Sequence, residues 1–460
     1  MVIIHMSKTS VSARRWLLIP IETKARELHA KVLLACVAAE RGWGVILGEM
    51  TAIREKQTSL PRGILIEKSI HPGTEGLIKK SLACGNRVSA WCEEGLIYYG
   101  KDDYRERRLN LESFDAIDFF FAWGMNQAQD ICSTLDRPMD KIVLSGNPRF
   151  DLLRPEVRGI FSREVTKIRL KYGPIILVNT KFTFVNLNLN SVDRIELMKS
   201  SGLIKTEEEE SLMVRSRELQ KKIFSSFLHL IPVLSKKFPK HTIIIRPHPS
   251  ESHSPWLELA KDLPNVKVVF EGNANGWILA SDAMIHNNCT TGVEAFMLGK
   301  PATSYRPFID DVVEHPLPDQ VSYSLSTEEK LIEFISNIIH DKNFQRDLEE
   351  KQLFALNYIS NIDGKLASDK IMESLDKVKL DPIEVSFPIK STLYDYKKAI
   401  IAYIKPDRYA LQKFPNLEFE ELKEMLADFQ RVTGRFANVE VVQADNDTCY
   451  CFYARSELSH

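Results

Sequence analysis

Two short stretches in the second half of this 460-residue chain carry the residue types best suited to chemistry. One is Ile243-Ile-Ile-Arg246-Pro-His248-Pro249, an apolar run that ends on a cation and an imidazole held between prolines. Proline restricts the backbone of the residue before it, so both side chains are aimed rather than free. The other is His286-Asn-Asn-Cys-Thr290-Thr291-Gly-Val-Glu294. The residues before His286 read as a short buried strand. Val293, Phe296 and Met297 recur at helical spacing until Gly299 and Pro301 stop the helix. Asn288 to Gly292 is then a strand-to-helix turn, and the N–H groups of a helix start, with the Thr290 and Thr291 hydroxyls, suit a phosphate. An N-cap without ligand uses the same groups. Glu294, one turn in, is placed to accept from ribose hydroxyls, although the helix dipole alone favours a carboxylate there. His286 is either a ligand or a strand-end packing residue.

Three further groups qualify. Asp151 follows the rigid turn Gly146-Asn147-Pro148 and reads as a catalytic carboxylate or as a helix N-cap. Glu93 and Glu94 follow a buried strand, and Gly95 permits the sharp turn needed to aim one of them. Two carboxylates can run a double displacement, one as nucleophile and one as acid/base, with Asp151 the nucleophile and Glu94 the acid/base, Glu93 in reserve. Lys24 and Arg26, at the exit of the first strand, suit an anionic acceptor or a sugar carboxylate. The chain has no Asp-x-Asp in a setting to hold a metal, so phosphate charge falls to N–H groups and cationic side chains, and no cofactor is expected.

Positioning these residues takes strands that alternate with helices. Strands are expected at 16–20, 44–48, 63–67, 87–91, 117–122 and 141–145, and again at 174–179, 243–249 and 266–270. A helix after residue 26 carries Leu28, Val32, Ala35, Cys36 and Ala39 on one face. That alternation predicts βαβ units, parallel sheets and an α/β fold of two Rossmann-like domains, 14–151 and 172–380, with ligands in an interdomain cleft. Residues 186–210, which end in four consecutive glutamates, read as a polar insertion. Residues 383–460 read as a small C-terminal appendage.

Bulk properties agree with a soluble globular protein: 44% hydrophobic, 27% charged and a net charge of −1. Near-neutrality argues against broad capture of nucleic acid. No apolar run is long enough for a membrane span and the first residues are a poor signal peptide, so cytoplasm is expected. The seven cysteines show no paired framework, and Cys449 and Cys451 read as alternate strand positions rather than zinc ligands.

The pair Arg246-Pro-His-Pro249 and His286 to Glu294, preceded by Gly146 to Asp151, resembles the two-domain GT-B glycosyltransferases. That group includes UDP-N-acetylglucosamine 2-epimerases and the glycerophosphotransferases of teichoic-acid synthesis. From Trp16 to about Leu380 the likeness is narrower: Leu18-Ile-Pro-Ile-Glu-Thr-Lys-Ala-Arg-Glu27 and Glu93-Glu-Gly-Leu96 resemble bacterial surface carbohydrate biosynthesis proteins. These are similar to retaining β-Kdo transferases that use CMP-Kdo. The resemblance implies transfer of an acidic sugar from a CMP donor to a surface glycan or glycolipid. His248-Pro249 and Thr290-Thr291 would hold the cytidine nucleotide, at or near the inner face of the plasma membrane. A 2-epimerase, a CDP-dependent polyol-phosphate transferase and a non-catalytic assembly factor stay open as alternatives.

Overall fold

The computed structural model describes residues 10–98, 100–187, 193–200, 202–340, 349–380, 385–388, 413–444 and 449–455. The chain divides into two compact units, Met1–Ile160 with Asn357–His460, and Phe161–Leu356.

In the first unit the strands in chain order are β1 (Ser10–Ala13), β2 (Trp16–Ile21), β3 (Gly44–Glu49), β4 (Ile64–Glu67), β5 (Arg87–Trp91), β6 (Phe120–Ala122) and β7 (Ile142–Leu144). The second unit supplies β8 (Ile175–Asn179), β9 (Thr242–Arg246), β10 (Val266–Val268), β11 (Ala283–His286), β12 (Ala302–Tyr305) and β13 (Tyr323–Leu325). The chain then returns to the first unit with β14 (Val385–Pro388), β15 (Val439–Gln443) and β16 (Cys449–Ala454). The helices used below are α1 (Lys24–Glu40), α2 (Glu207–Lys237), α3 (Thr290–Met297), α4 (Ala367–Leu375) and α5 (Phe419–Thr433).

The first sheet has eight strands in the order β15-β16-β3-β2-β4-β5-β6-β7, and β1 pairs with β14 apart from it. From β3 to β7 every pairing is parallel, while β16 joins β3 antiparallel with Cys451 opposite Ile46. All six residues of β2 are buried, as befits a parallel strand covered on both faces. The predicted α1 stripe is buried too, but so is most of the helix, because α1 packs on the sheet and also against α4 and α5.

The second sheet has six parallel strands in the order β10-β9-β8-β11-β12-β13. An aromatic group packs beside β8 and β9: Phe182 lies 5.0 Å from Phe224 and 5.3 Å from Phe227, between ring centroids, and Phe224 lies 5.3 Å from Trp256. In both sheets the chain steps to opposite sides of its first long strand. The switch points fall between β2 and β4 and between β8 and β11, where carboxyl ends of parallel strands leave a crevice.

Three expectations change. Residues 383–460 are no separate appendage, since β15, β16 and α5 belong to the first unit, and so does α4. The reason is burial: β3 presents Val45, Ile46 and Leu47, and the wholly buried run Cys449–Phe452 covers that edge. Both cysteines are free thiols in this strand. The boundary near 172 also moves, because the helix Ser162–Tyr172 is part of the second unit. Finally, the glutamates at 207–210 are the first turn of α2, opened by a capping box in which Thr206 accepts from the Glu209 N–H and Glu209 reaches back. Residues 188–192 and 201 of the expected insertion lie outside the described residues. Among the described residues no helix is long and apolar enough to cross a membrane.

Candidate functional site

The second unit's switch point gathers the loops after β8, β9 and β11. Asn179 and His286 sit opposite each other in register at the ends of β8 and β11. Asn287 then ties the two loops, accepting from the Lys181 N–H at 2.8 Å and donating to the Lys181 carbonyl at 3.2 Å. Asn288 takes a left-handed backbone, φ +48°, which few side chains other than asparagine tolerate. Its amide donates to the His315 carbonyl (2.8 Å) and to Asp319 (2.7 Å), while its oxygen accepts from the His315 N–H (3.2 Å). The turn is therefore held open by a second loop instead of by the sequence of the turn alone.

Behind it stands His286, fully buried. Its Nδ1 accepts from the Cys289 N–H (3.3 Å) and its Nε2 meets the Ser322 hydroxyl (2.8 Å). Burial pulls its pKa down to about 3, so the ring is neutral. Gly292 completes the arrangement, because a Cβ there would lie 2.4 Å from His286 Nε2. His286 is thus the packing residue behind the turn, and the expectation of a nucleotide ligand at its ring gives way: both nitrogens are engaged out of reach of solvent.

In front of it, α3 begins at Thr290 with Cys289 as N-cap and no side-chain capping bond. Thr291 Oγ1 is buried and lacks a hydrogen-bond partner, as do both polar atoms of the Asn179 amide. Buried polar atoms are nearly always satisfied, so orphans beside an uncapped helix start mark a place for a ligand's polar groups. Glu294 lies buried one turn further in.

The loop after β9 is governed by a residue that sequence reasoning missed. Glu251 is 0% exposed and no cation pairs with it among the described residues. It accepts instead from the Thr180 hydroxyl (3.0 Å), the N–H groups of Phe182 (3.0 Å) and His248 (3.1 Å), Asn186 Nδ2 (3.3 Å) and Trp256 Nε1 (3.4 Å). The loops after β8 and β9 are pinned on this one carboxylate. The Pro249-Ser-Glu251 spacing, which lets a side chain reach back to an N–H three residues earlier, was the available signal. His248 Nδ1 accepts from the Ser250 N–H at 3.1 Å, which orients the ring, and Pro249 beside it is exposed. Arg246 turns elsewhere: it donates to the carbonyls of Glu271 (2.6 Å) and Gly272 (3.2 Å) and lies over the Trp277 ring. Burial lowers its pKa to about 10, so it stays a cation at neutral pH, employed in holding the 271–272 turn.

The first unit's switch point is a knot of charge. Lys31, buried on α1, donates to the Pro20 carbonyl (2.6 Å) and to Glu27 (2.7 Å), and pairs with Glu93 (3.2 Å). Glu93 also accepts from Trp91 Nε1 at 2.9 Å. Glu94 is half exposed between Arg26 (3.3 Å) and Arg108 (2.5 Å). Burial raises its pKa, but the two guanidiniums outweigh that and hold it below the usual carboxylate range. An ionised Glu94 suits the base half of the expected acid/base role, or an electrostatic stabiliser. Lys24 pairs with Glu421 at 2.6 Å and donates to the Asn416 carbonyl at 2.8 Å, so it anchors the start of α1 to the C-terminal segment.

Asp151 is the clearest correction. It is 1% exposed, and its oxygens accept from the N–H groups of Ala367 (2.7 Å) and Ser368 (2.9 Å) and from the Ser368 hydroxyl (2.7 Å). The carboxylate brackets the start of α4 onto the short helix Pro148–Asp151. Burial lifts its pKa to about 6 against those donors, and both of its oxygens are engaged at the start of α4. The N-cap alternative was nearer, with the helix supplied from across the sequence.

No family model matches the chain, and no curated protein does. Solved structures do. The wall teichoic acid polymerase TagF (H548A) aligns with TM-score 0.50 and 12% identity over 79% of this chain and 89% of that one. UDP-GlcNAc 2-epimerase from Methanocaldococcus jannaschii aligns with TM-score 0.50 and 12% identity over 78% of this chain and 99% of that one. At such identity the likeness is one of fold, and it is the α/β GT-B fold of two Rossmann-like units.

Proposed function

We propose that the chain is a glycosyltransferase that binds a nucleotide-activated sugar in its second unit. The reading is supported above all by one observation: an uncapped helix start at a topological switch point, faced by the orphaned Thr291 hydroxyl and Asn179 amide. The N–H groups of Thr290 and Thr291 and the Thr291 hydroxyl would take the diester or diphosphate oxygens. Asn179 and Glu294 would take ribose or base, and His248 would close the site from the β9 loop. A CMP donor carrying an acidic sugar such as Kdo, with a glycan or glycolipid acceptor, follows from the resemblance of the His248-Pro249 and Thr290-Thr291 motifs. In the first unit, taken by itself, Arg26 and Arg108 about Glu94 would offer cationic groups to an anionic acceptor. With Asp151 committed to α4, the double displacement loses its expected nucleophile, and we assign no stereochemical course.

The test is thermal unfolding with CMP, CDP and UDP. A ligand at a hundred times its Kd stabilises the native state by about 2.7 kcal/mol. CMP or CDP should raise the melting temperature more than UDP, and Thr291→Val and Asn179→Ala should each abolish the rise. A rise with UDP alone would favour the 2-epimerase alternative. An undiminished rise in both variants would place the nucleotide elsewhere.

A further inference from the structure

The second unit carries a pocket of about 550 Å³ lined by Glu218, Lys221, Lys222, Ser225, Ser226, His229, Tyr305 and Phe308. That volume lies within the range of small-ligand sites, ~300–1,000 Å³. None of its residues belongs to the phosphate seat around Asn179 and Thr291.

One wall is a polar stripe of α2, flanking the buried stripe of Ile223, Phe227, Leu230 and Leu234. The stripe has small side chains in its middle: the Ser225 and Ser226 hydroxyls donate back to the carbonyls of Lys221 and Lys222, both at 3.1 Å. Their oxygens keep acceptor capacity toward the trough. The opposite wall is Tyr305 with Phe308, whose ring is 42% exposed.

Phe308 does not collapse onto the core because its segment is pinned on both sides. Arg306 pairs with Glu314 (2.7 Å) and Asp319 (3.2 Å), Asp310 pairs with Arg215, and His315 is held by Asn288. The pocket's one acid and its imidazole have partners outside it: Glu218 lies 3.9 Å from Arg217, and His229 meets Glu328 at 3.0 Å. Lys221 and Lys222 have no carboxylate within ion-pairing distance among the described residues, and Lys222 lies 5.7 Å from the Phe308 ring centroid.

An aromatic face, hydroxyls and two unneutralised ammonium groups along one trough describe a ligand with apolar C–H faces, many hydroxyls and negative charge. We infer that this pocket binds an acidic saccharide, a run of sugar units bearing carboxylates, apart from the nucleotide seat. Phe308 would take the C–H face of a ring, Lys221 and Lys222 the carboxylates, and Ser225 and Ser226 the ring hydroxyls. This deepens the proposed function by giving the second unit a hold on the glycan itself, and it rests on that reading for its biological sense.

The experiment titrates the full chain with a galacturonate oligosaccharide by calorimetry, with a maltooligosaccharide of equal length and inorganic phosphate as comparators. The uronate should bind at least tenfold more tightly than the neutral sugar, and phosphate should not displace it. Lys222→Ala and Phe308→Ala should each weaken it tenfold or more while leaving the cytidine-nucleotide rise in melting temperature intact. Equal binding of both sugars, full displacement by phosphate, or variants that bind like the parent would each overturn the proposal. Loss of the nucleotide effect with uronate binding intact would count instead against the nucleotide reading.

Discussion

Glu251 shows what a single buried carboxylate can organise. Truncation to alanine would strand five donors inside the second unit, and buried unsatisfied groups cost about 1–3 kcal/mol each. Glu251→Ala should therefore lose several kcal/mol in urea unfolding and release the His248 loop, whereas Glu251→Gln, keeping one acceptor, should lose less. A variant within 1 kcal/mol of the parent would refute this role. His286 and His315 set an acid limit on the same unit. Burial pulls their pKa values to about 3 and about 4, below the ~6.5 of an unfolded histidine. Below that unfolded value the unfolded chain binds more protons, so stability present above about pH 6.5 is lost as pH falls, by up to about 1.4 kcal/mol per pH unit for each ring. Protection factors of amides in 161–356, taken against the intrinsic exchange rate at each pH, should fall between pH 7 and 5, and His286→Gln should flatten that dependence. A dependence as steep in the variant would clear His286. Neither residue announces this in the sequence: His286 was visible as important, but whether its ring faces a ligand or the back of a turn depends on Gly292 and Ser322.

Elements were more legible than the side chains they carry. The apolar runs placed β2, β4, β5, β8, β9 and β11 because parallel strands buried on both faces read as continuous hydrophobic stretches. The turn from β11 into α3 was legible as well, since Thr290-Thr291-Gly292 and the later Gly299-Lys300-Pro301 mark both ends of a helix. What the sequence hid was the support, because Asn288 is fixed by His315 and Asp319 from a later loop. The start of α2 was misread for another reason: four like charges suggest a solvated insertion, yet at a helix N-terminus they lie along the favourable dipole. Two substitutions test this scale. Gly292→Ala should push the His286 ring from Ser322, cost about 2 kcal/mol or more as an overpacked core does, and remove nucleotide stabilisation. Thr206→Ala should cost about 1 kcal/mol through the lost cap and leave nucleotide binding alone. A Gly292→Ala protein that binds nucleotide like the parent would separate the turn from the phosphate seat.

For the molecule as a whole, the sequence showed two α/β halves but not that the first is assembled from both ends of the chain. Pairing of Cys451 with Ile46 spans nearly the entire sequence, with the second unit inserted between, and no local pattern reports such a contact. The same topology divides the consequences of truncation. Removing residues 381–460 takes away β15, β16 and α5, exposing the buried run Val45–Leu47 on a β3 edge and the face of α1 that α5 covers. An uncovered hydrophobic edge strand recruits other chains, so that protein should aggregate or lose the first unit's cooperative unfolding. Among the described residues, the strands of the second unit's sheet all come from one continuous segment, Phe161–Leu356. Expressed alone, 161–356 should fold, unfold cooperatively and, with the Thr291 and Asn179 seat inside it, keep its stabilisation by the nucleotide that stabilises the full chain. A soluble, monomeric 1–380 chain with the parent's melting temperature would show that the C-terminal strands are dispensable to the first sheet. An isolated 161–356 that folds but no longer responds to nucleotide would mean that the seat needs residues from the first unit.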